Sequence, residues 1–328
     1  MFRGLGVGMG RLVFGRLCAL AVACVFLACG GGSGDADGAK PSAAGAKAHE
    51  GPITITCTTG MVGDLVSNIG GDRVHVTTIM GPGVDPHLYK ATAGDIAALQ
   101  GADMIFYNGL LLEGKMAELF VKMARRNPFV VAVTEEVDRE RLLEPPALAG
   151  HWDPHVWFDV DLWSEGADVV RKSLAEYAPD HAAEFAANAE AYTGQLAELH
   201  AWCASEAAKL PAEKRVLVTS HDAFSYFGRA YGFEVVGLMG ISTVTEAGLA
   251  DIARMVDFIR LRQVPAIFVE SSVSKAAIER VAQDADVKIG GELFSDAMGA
   301  GGTPEGTYVG MVRFNMETVV NALSGASE

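Results

Sequence analysis

The sequence predicts an α/β protein with two lobes, each built on a mainly parallel sheet, joined by one long rigid helix. Three observations predict this architecture. Short apolar runs alternate with helical patterns up to residue 178 and again from residue 211, as in parallel α/β units. A long helix with a single apolar stripe separates the two regions. The 328 residues, 50% of them hydrophobic, can bury the cores of two lobes.

The N-terminus has the layout of a secretory signal peptide. Three arginines precede an apolar run from Leu17 to Ala28, which is too short for a comfortable membrane span. Cys29 ends this run in a context similar to a bacterial lipobox, and a Gly-, Ala- and Ser-rich stretch follows. We expect residues 1–28 to be removed and a lipid on Cys29, with residues 29–50 as a tether, to anchor an exported protein to a membrane. The alternative is an ordinary signal peptide with a chance cysteine.

The mature chain is strongly acidic. Removal of residues 1–28 takes three arginines and no acid, so 23 basic and 41 acidic residues give a net charge of −18. This charge argues against nucleic acid and anionic membrane surfaces as partners and favours cations. Only Cys57 and Cys203 remain besides Cys29, so we expect two buried thiols and no disulfide framework.

Residues 51–178 form the predicted N-terminal lobe. Thr92 and Asp95 make a capping pattern at the start of one of its helices. The predicted strands are Ile53–Thr58, Val74–Met80, Met104–Tyr107 and Phe129–Val133, and the predicted helices are 60–70, 92–101, 113–126 and 161–177.

Residues 179–210 form the predicted connecting helix. Its apolar residues recur at steps of four and three, which places them on one face. They are Phe185, Ala189, Tyr192, Leu196, Leu199 and Cys203. At 1.5 Å per residue the helix reaches about 46 Å, enough to span two lobes.

Residues 211–328 form the predicted C-terminal lobe, in which the alternation resumes. Its predicted strands are Arg215–Thr219, Phe233–Val236, Ala266–Glu270 and Val287–Ile289, and its predicted helices are 222–231, 245–262, 274–284 and 309–323.

The tripeptide Asp-Pro-His occurs twice, ending at His87 and at His155. Proline fixes its own φ and holds the preceding residue extended, so each imidazole projects from a rigid loop. His221 follows a strand-like run, and Asp296 follows the last one. Because ligands of parallel sheets bind beyond the carboxyl ends of strands, these four side chains are candidate metal ligands.

Three imidazoles and one carboxylate suit Zn²⁺ and also accommodate Mn²⁺ or Fe²⁺, whereas the lack of thiolates disfavours Cu⁺. Glu270, at a strand end, is expected to hold an imidazole N–H and fix its tautomer. Asp85 and Asp153 either do the same or only form turns.

The sequence resembles the metal-binding solute-binding lipoproteins of ABC transporters, the TroA/ZnuA-type family, over nearly all of residues 51–325. The matching blocks are Asp85–Tyr89, Asp153–Asp159, Ser220–Phe224 with Tyr226-Phe227, Glu270–Ser272 and Leu293–Asp296. The resemblance places the family's four ligands on His87, His155, His221 and Asp296. It also implies two α/β lobes bridged by a rigid helix, modest lobe closure and delivery of the ion to a membrane permease.

Two departures place the chain nearest the TroA-like branch, whose members accept both zinc and manganese. Residues 113–150 contain no histidine, unlike the His-rich loop of many zinc-only relatives, and the third ligand position is His221, where manganese-only relatives often have Glu. The metal therefore stays open among zinc, manganese and iron. We expect a monomer.

We expect the ion to bind first to the imidazoles of the N-terminal lobe, His87 and His155, and closure to add His221 and Asp296. Two other functions are weighed against metal transport. In a zinc hydrolase, Glu270 would act as a base, but no H-E-x-x-H helix is present. In a surface adhesin, the metal would serve structure alone.

Overall fold

The computed structural model describes residues 51–148 and 150–325. The expected signal peptide, Cys29 and the tether lie outside these residues. The described residues form eight strands and nine α-helices. The strands are β1 Ile53–Cys57, β2 Val74–Thr78, β3 Met104–Tyr107, β4 Val130–Ala132, β5 Val216–His221, β6 Glu234–Met239, β7 Ala266–Glu270 and β8 Lys288–Leu293. The helices are α1 Gly60–Gly70, α2 Ala93–Gly101, α3 Ala117–Ala124, α4 Val160–Tyr177, α5 Ala182–Ala207, α6 Ser225–Tyr231, α7 Leu249–Arg262, α8 Ala276–Ala285 and α9 Tyr308–Ser324.

The first half contains a parallel four-stranded sheet in the order β2-β1-β3-β4. The central strand β1 is almost wholly buried, since it lies between two neighbours and carries side chains into the core on both faces. Thr92 accepts from the backbone N–H of Asp95 and so begins α2, as the capping pattern predicts. The carboxyl ends of the strands therefore share one edge of the sheet.

The second half contains two parallel pairs, β5-β6 and β7-β8, and β5 packs beside β7. Strand β8 extends to Leu293, beyond the predicted run that ends at Ile289. The sequence does not predict this extension, because Gly290 and Gly291 interrupt the apolar pattern of the strand. A Cβ on Gly290 would lie 2.7 Å from Ala322 Cβ, so only glycine fits there.

Helix α5 joins the two halves. Its buried face consists of the predicted stripe, extended by Ala207. The helix has 26 residues, or about 39 Å. It is shorter than predicted because a 3-10 turn occupies Pro179–His181 and because the helix ends at Ala207. It packs against α1, α4 and α9. The two-lobe α/β architecture is thus confirmed.

One hydrophobic cluster runs through both halves, from Ile55 in β1 to Leu217 in β5 and Phe268 in β7. The predicted lobe boundaries at residues 178 and 210 stay predictions. Cys57 and Cys203 are both buried and free. In the described part of the chain no helix is long and apolar enough to cross a membrane.

Candidate metal site

Four buried side chains converge on one point: His87, His155, His221 and Asp296. One ligand atom from each lies within 4.8 Å of all the others. The Nε2 atoms of His87 and His155 are 3.3 Å apart. Asp296 faces two imidazoles, with Oδ1 3.3 Å from His155 Nε2 and Oδ2 3.3 Å from His221 Nε2. The exposed His151 lies outside this cluster.

Three of these side chains lie at or near the end of a regular element, and His87 lies in a loop. His87 lies in the loop between β2 and α2, and His155 directly precedes the 3-10 turn that leads into α4. His221 is the last residue of β5, and Asp296 lies three residues beyond β8. Strands β5 and β8 both lie beside β7, so the ends of β5 and β8 bring His221 and Asp296 together although they are distant in sequence.

Three ligand atoms of the cluster have no hydrogen-bond partner. Within the described residues, His221 Nε2 and both Asp296 oxygens are buried and make no hydrogen bond. Buried polar atoms of this kind cost about 1–3 kcal/mol each unless a partner satisfies them. A divalent cation at the centre would accept lone pairs from three imidazole nitrogens and the carboxylate at once.

Two acids orient the imidazoles from behind. Glu270 contacts both the backbone N–H and Nδ1 of His221. Asp153 Oδ1 accepts from the backbone N–H of His155 at 3.0 Å and lies 2.7 Å from its Nδ1. A carboxylate on Nδ1 keeps the proton there and leaves Nε2 free to bind a metal.

Asp85 acts differently. Its Oδ1 accepts from the backbone N–H of His87 at 2.8 Å, which is the turn-forming alternative. Its Oδ2 accepts from the hydroxyl of Thr243, 158 residues away, at 2.6 Å. His87 Nδ1 has no hydrogen-bond partner among residues 51–148 and 150–325. The expectation that Asp85 fixes an imidazole tautomer is therefore not met by this geometry.

The imidazoles of the site differ in their pKa values. Burial and the neighbouring imidazoles lower the pKa of His87 to about 4, despite Asp296. Burial also opposes protonation of His155, but Asp153 and Asp296 outweigh it and raise that pKa to about 9. An uncharged His87 thus faces a readily protonated His155.

The same balance acts on the other pair. Burial opposes protonation of His221, yet Glu270 and Asp296 hold its pKa well above the usual value. Burial also opposes ionisation of Asp296, but His221 and His155 hold its pKa well below the usual value. Without a cation, imidazolium groups balance the carboxylates, so a metal must displace protons to bind.

Several contacts that hold the site in place have no signal in the sequence. Thr243 lies in the loop between β6 and α7, where no pattern marks it. Tyr226 was expected only within a matching block, and its hydroxyl donates to the carbonyl of Asp153. Trp157 lies in another matching block, and its indole N–H donates to Ser295 O at 3.1 Å.

Comparison with known proteins identifies the family. The sequence model described as "ZnuA: Zinc-uptake complex component A periplasmic" matches residues 55–322. "Zinc-binding protein TroA" of Treponema pallidum (strain Nichols) is 49% identical over 314 residues, which cover 94% of this chain and 98% of the relative. "Manganese-binding lipoprotein MntA" of Bacillus subtilis (strain 168) is 45% identical over 84% of this chain and 92% of the relative.

A solved structure agrees with the sequence comparisons. The periplasmic zinc binding protein TroA from Treponema pallidum superposes with a TM-score of 0.81 at 50% identity, covering 83% of this chain and 99% of that one. These matches confirm the resemblance drawn from the sequence blocks. The chain therefore belongs to the ZnuA family.

Proposed function

We propose that this protein captures one Zn²⁺ or Mn²⁺ ion through His87, His155, His221 and Asp296 and delivers it to the membrane permease of an ABC transporter. The observation that carries the proposal is the convergence of four buried donors whose lone pairs face one another. Relatives of this chain bear the names of a zinc-binding and a manganese-binding protein.

The donor set suits the proposed cargo. Imidazole nitrogens with a carboxylate are ligands for zinc, and a carboxylate that offers both oxygens also suits manganese or iron(II). Both Asp296 oxygens face the cluster centre, each opposite a different imidazole. Neither free cysteine belongs to the cluster, so soft Cu⁺ is disfavoured.

Capture is favoured over hydrolysis by the position of Glu270. Both of its oxygens contact His221, so neither is directed to a water on the ion. Catalytic zinc sites keep an open coordination position, whereas four protein donors converge here. We therefore propose a transport receptor that is not an enzyme.

The N-terminal features complete the proposal. Lipid on Cys29 would tether the mature protein outside the cytoplasm, and relatives such as MntA are named lipoproteins. A tethered receptor stays near its permease at high effective concentration. We propose a monomer for this role.

The test is a titration of the purified protein with Zn²⁺ and Mn²⁺ by calorimetry, with elemental analysis of the bound metal. We expect one tightly bound ion per chain, no tight binding by the variant His87→Ala/His155→Ala, and wild-type binding by the control His151→Ala. Absence of stoichiometric binding by the wild type would overturn the proposal. Unfolding on chelation would favour a structural metal, as in the adhesin alternative.

A further inference from the structure

Three of the four proposed ligands belong to one hydrogen-bonded block. The segment that carries His155 comes from the first half of the chain but is fixed to the second half. Tyr226 donates to Asp153 O at 3.0 Å, and Tyr308 donates to Trp157 O at 2.6 Å. Trp157 in turn donates to Ser295 O, next to Asp296. His155 and Asp296 are therefore held in one frame.

His221 belongs to the same block. It ends β5 in register with Met239 of β6, and β5 packs beside β7, whose last residue is Glu270. Glu270 holds both the backbone and the imidazole of His221. The three donors His155, His221 and Asp296 are thus pre-positioned relative to one another.

The loop of His87 is attached far more weakly. Among the described residues, a single hydrogen bond joins residues 79–92 to the second half of the chain, from Thr243 Oγ1 to Asp85 Oδ2. Asp85 connects Thr243 to His87, because its other oxygen accepts from the backbone N–H of His87. Thr243 is only 6% exposed, so water does not readily replace the bond.

The Thr243 loop begins beside a ligand. Asp222, which follows His221, donates its backbone N–H to Gly240 O, where this loop begins after β6. The chain from Gly240 to Thr243 therefore links the pre-positioned block to the His87 loop. Within the described residues, neither His155 nor Asp296 makes a hydrogen bond to residues 240–243, whereas Thr243 reaches His87 through Asp85.

We infer that His87 is the last ligand to close on the ion and the first to leave it, and that Thr243 is a positioning residue that holds it closed through Asp85. The inference rests on the proposed metal-receptor function. It reverses the order expected from the sequence, in which closure adds His221 and Asp296. Movement of residues 240–248 at the permease would then release the metal by freeing a single ligand.

The test is the rate of Zn²⁺ and Mn²⁺ release into excess chelator, measured by stopped flow on the full mature protein. Thr243→Val keeps the side-chain shape but loses the hydroxyl, and we expect release to accelerate about 10- to 100-fold, as for a lost hydrogen bond to a charged group. Association should change little, since the three-donor block stays intact. Thr243→Ser should restore slow release, and Ser242→Ala in the same loop is the matched control.

The outcomes separate this inference from the proposed function. If the wild type binds neither ion, the function fails. If the wild type binds tightly but Thr243→Val releases metal at the wild-type rate, or Thr243→Ser releases as fast as Thr243→Val, only the role of Thr243 fails. Circular dichroism of the metal-free variants checks folding, and Asp85→Asn, which weakens the same bond from the other side, should accelerate release in the same direction.

Discussion

The two Asp-Pro-His tripeptides have the same sequence but make different contacts. In each, the aspartate accepts from the backbone N–H of the histidine two residues later. Asp153 also contacts the imidazole of His155 in its own loop, whereas Asp85 accepts a hydrogen bond from Thr243 in the other half of the chain. Local sequence thus sets the turn, but the surrounding elements decide whether the carboxylate orients a ring or links two parts of the chain.

Loss of the imidazoles themselves gives the largest expected difference between the loops. His155→Ala removes a donor from the pre-positioned block and should weaken Zn²⁺ binding by far more than the roughly 100-fold that loss of an outer partner costs. His87→Ala leaves the pre-positioned donors His155, His221 and Asp296 in place and should retain measurable binding. In His155→Ala one of the three remaining donors, His87, lies on the weakly attached loop. Calorimetry with chelator competition measures both. Equal loss in the two variants contradicts the division of the site.

Glu113 lies next to residues that contact both Asp-Pro-His loops, and its titration should affect the free energy of unfolding. It is fully buried and accepts from the backbone N–H of Asn108, whose amide donates to Pro154 O. A Cβ on the adjacent Gly114 would lie 2.6 Å from His87 O. Burial raises the pKa of Glu113 to about 7, so the folded state holds this proton more tightly than the unfolded state.

Stability should therefore fall as pH rises from about 4.5 to about 7, by about 3 kcal/mol from this residue. Glu113→Gln removes the ionisable group. The free energy of unfolding of the wild type minus that of Glu113→Gln should therefore decrease as the pH rises over that range. Denaturant unfolding at several pH values measures it. Glu118→Gln, on the exposed face of α3, is the control. A pH-independent difference contradicts the account.

The two aspartates should differ in their coupling to Thr243. Asp153→Asn should weaken metal binding by about 10- to 100-fold, equally in the wild type and in Thr243→Val, because the side chain of Asp153 contacts only its own loop among the described residues. Most of the effect of Asp85→Asn should vanish in the Thr243→Val background. A double-mutant cycle of Asp85→Asn and Thr243→Val on the metal release rates measures this coupling. Additive effects at Asp85 and Thr243 count against a shared contact.

Tyr226→Phe gives the smallest expected effect. It removes the hydroxyl that donates to Asp153 O and accepts from the backbone N–H of Leu143. The free energy of unfolding should drop by about 1 kcal/mol, and metal release should speed up less than in Thr243→Val. Denaturant unfolding checks the first result and stopped flow the second. Faster release than in Thr243→Val would mean that the His155 loop is the one that moves.

Much of the fold could be predicted because it follows from local periodicity. The stripe of α5 appears in the sequence at helical spacing and is the buried face of that helix. The end of β8 could not be predicted, since Gly290 and Gly291 carry no apolar side chain there. The helix of residues 113–126 was predicted too long, since α3 covers only Ala117–Ala124.

The site divides in the same way. Its four proposed ligands follow strands or prolines, so their positions could be inferred from spacing and strand ends. The partner of Asp85 could not, because Thr243 lies in an irregular loop far along the chain and only the folded backbone brings it near. Contacts between the halves depend on packing, which no local pattern records.

The central claim is that His87, His155, His221 and Asp296 bind one ion. Zinc X-ray absorption on the loaded protein tests it most directly. We expect a ligand shell with three imidazole nitrogens at Zn–N distances of about 2.0–2.1 Å and oxygen in the remaining positions. His87→Ala should lose one imidazole and keep two. A sulfur shell, or an unchanged imidazole count in His87→Ala, would contradict the assignment.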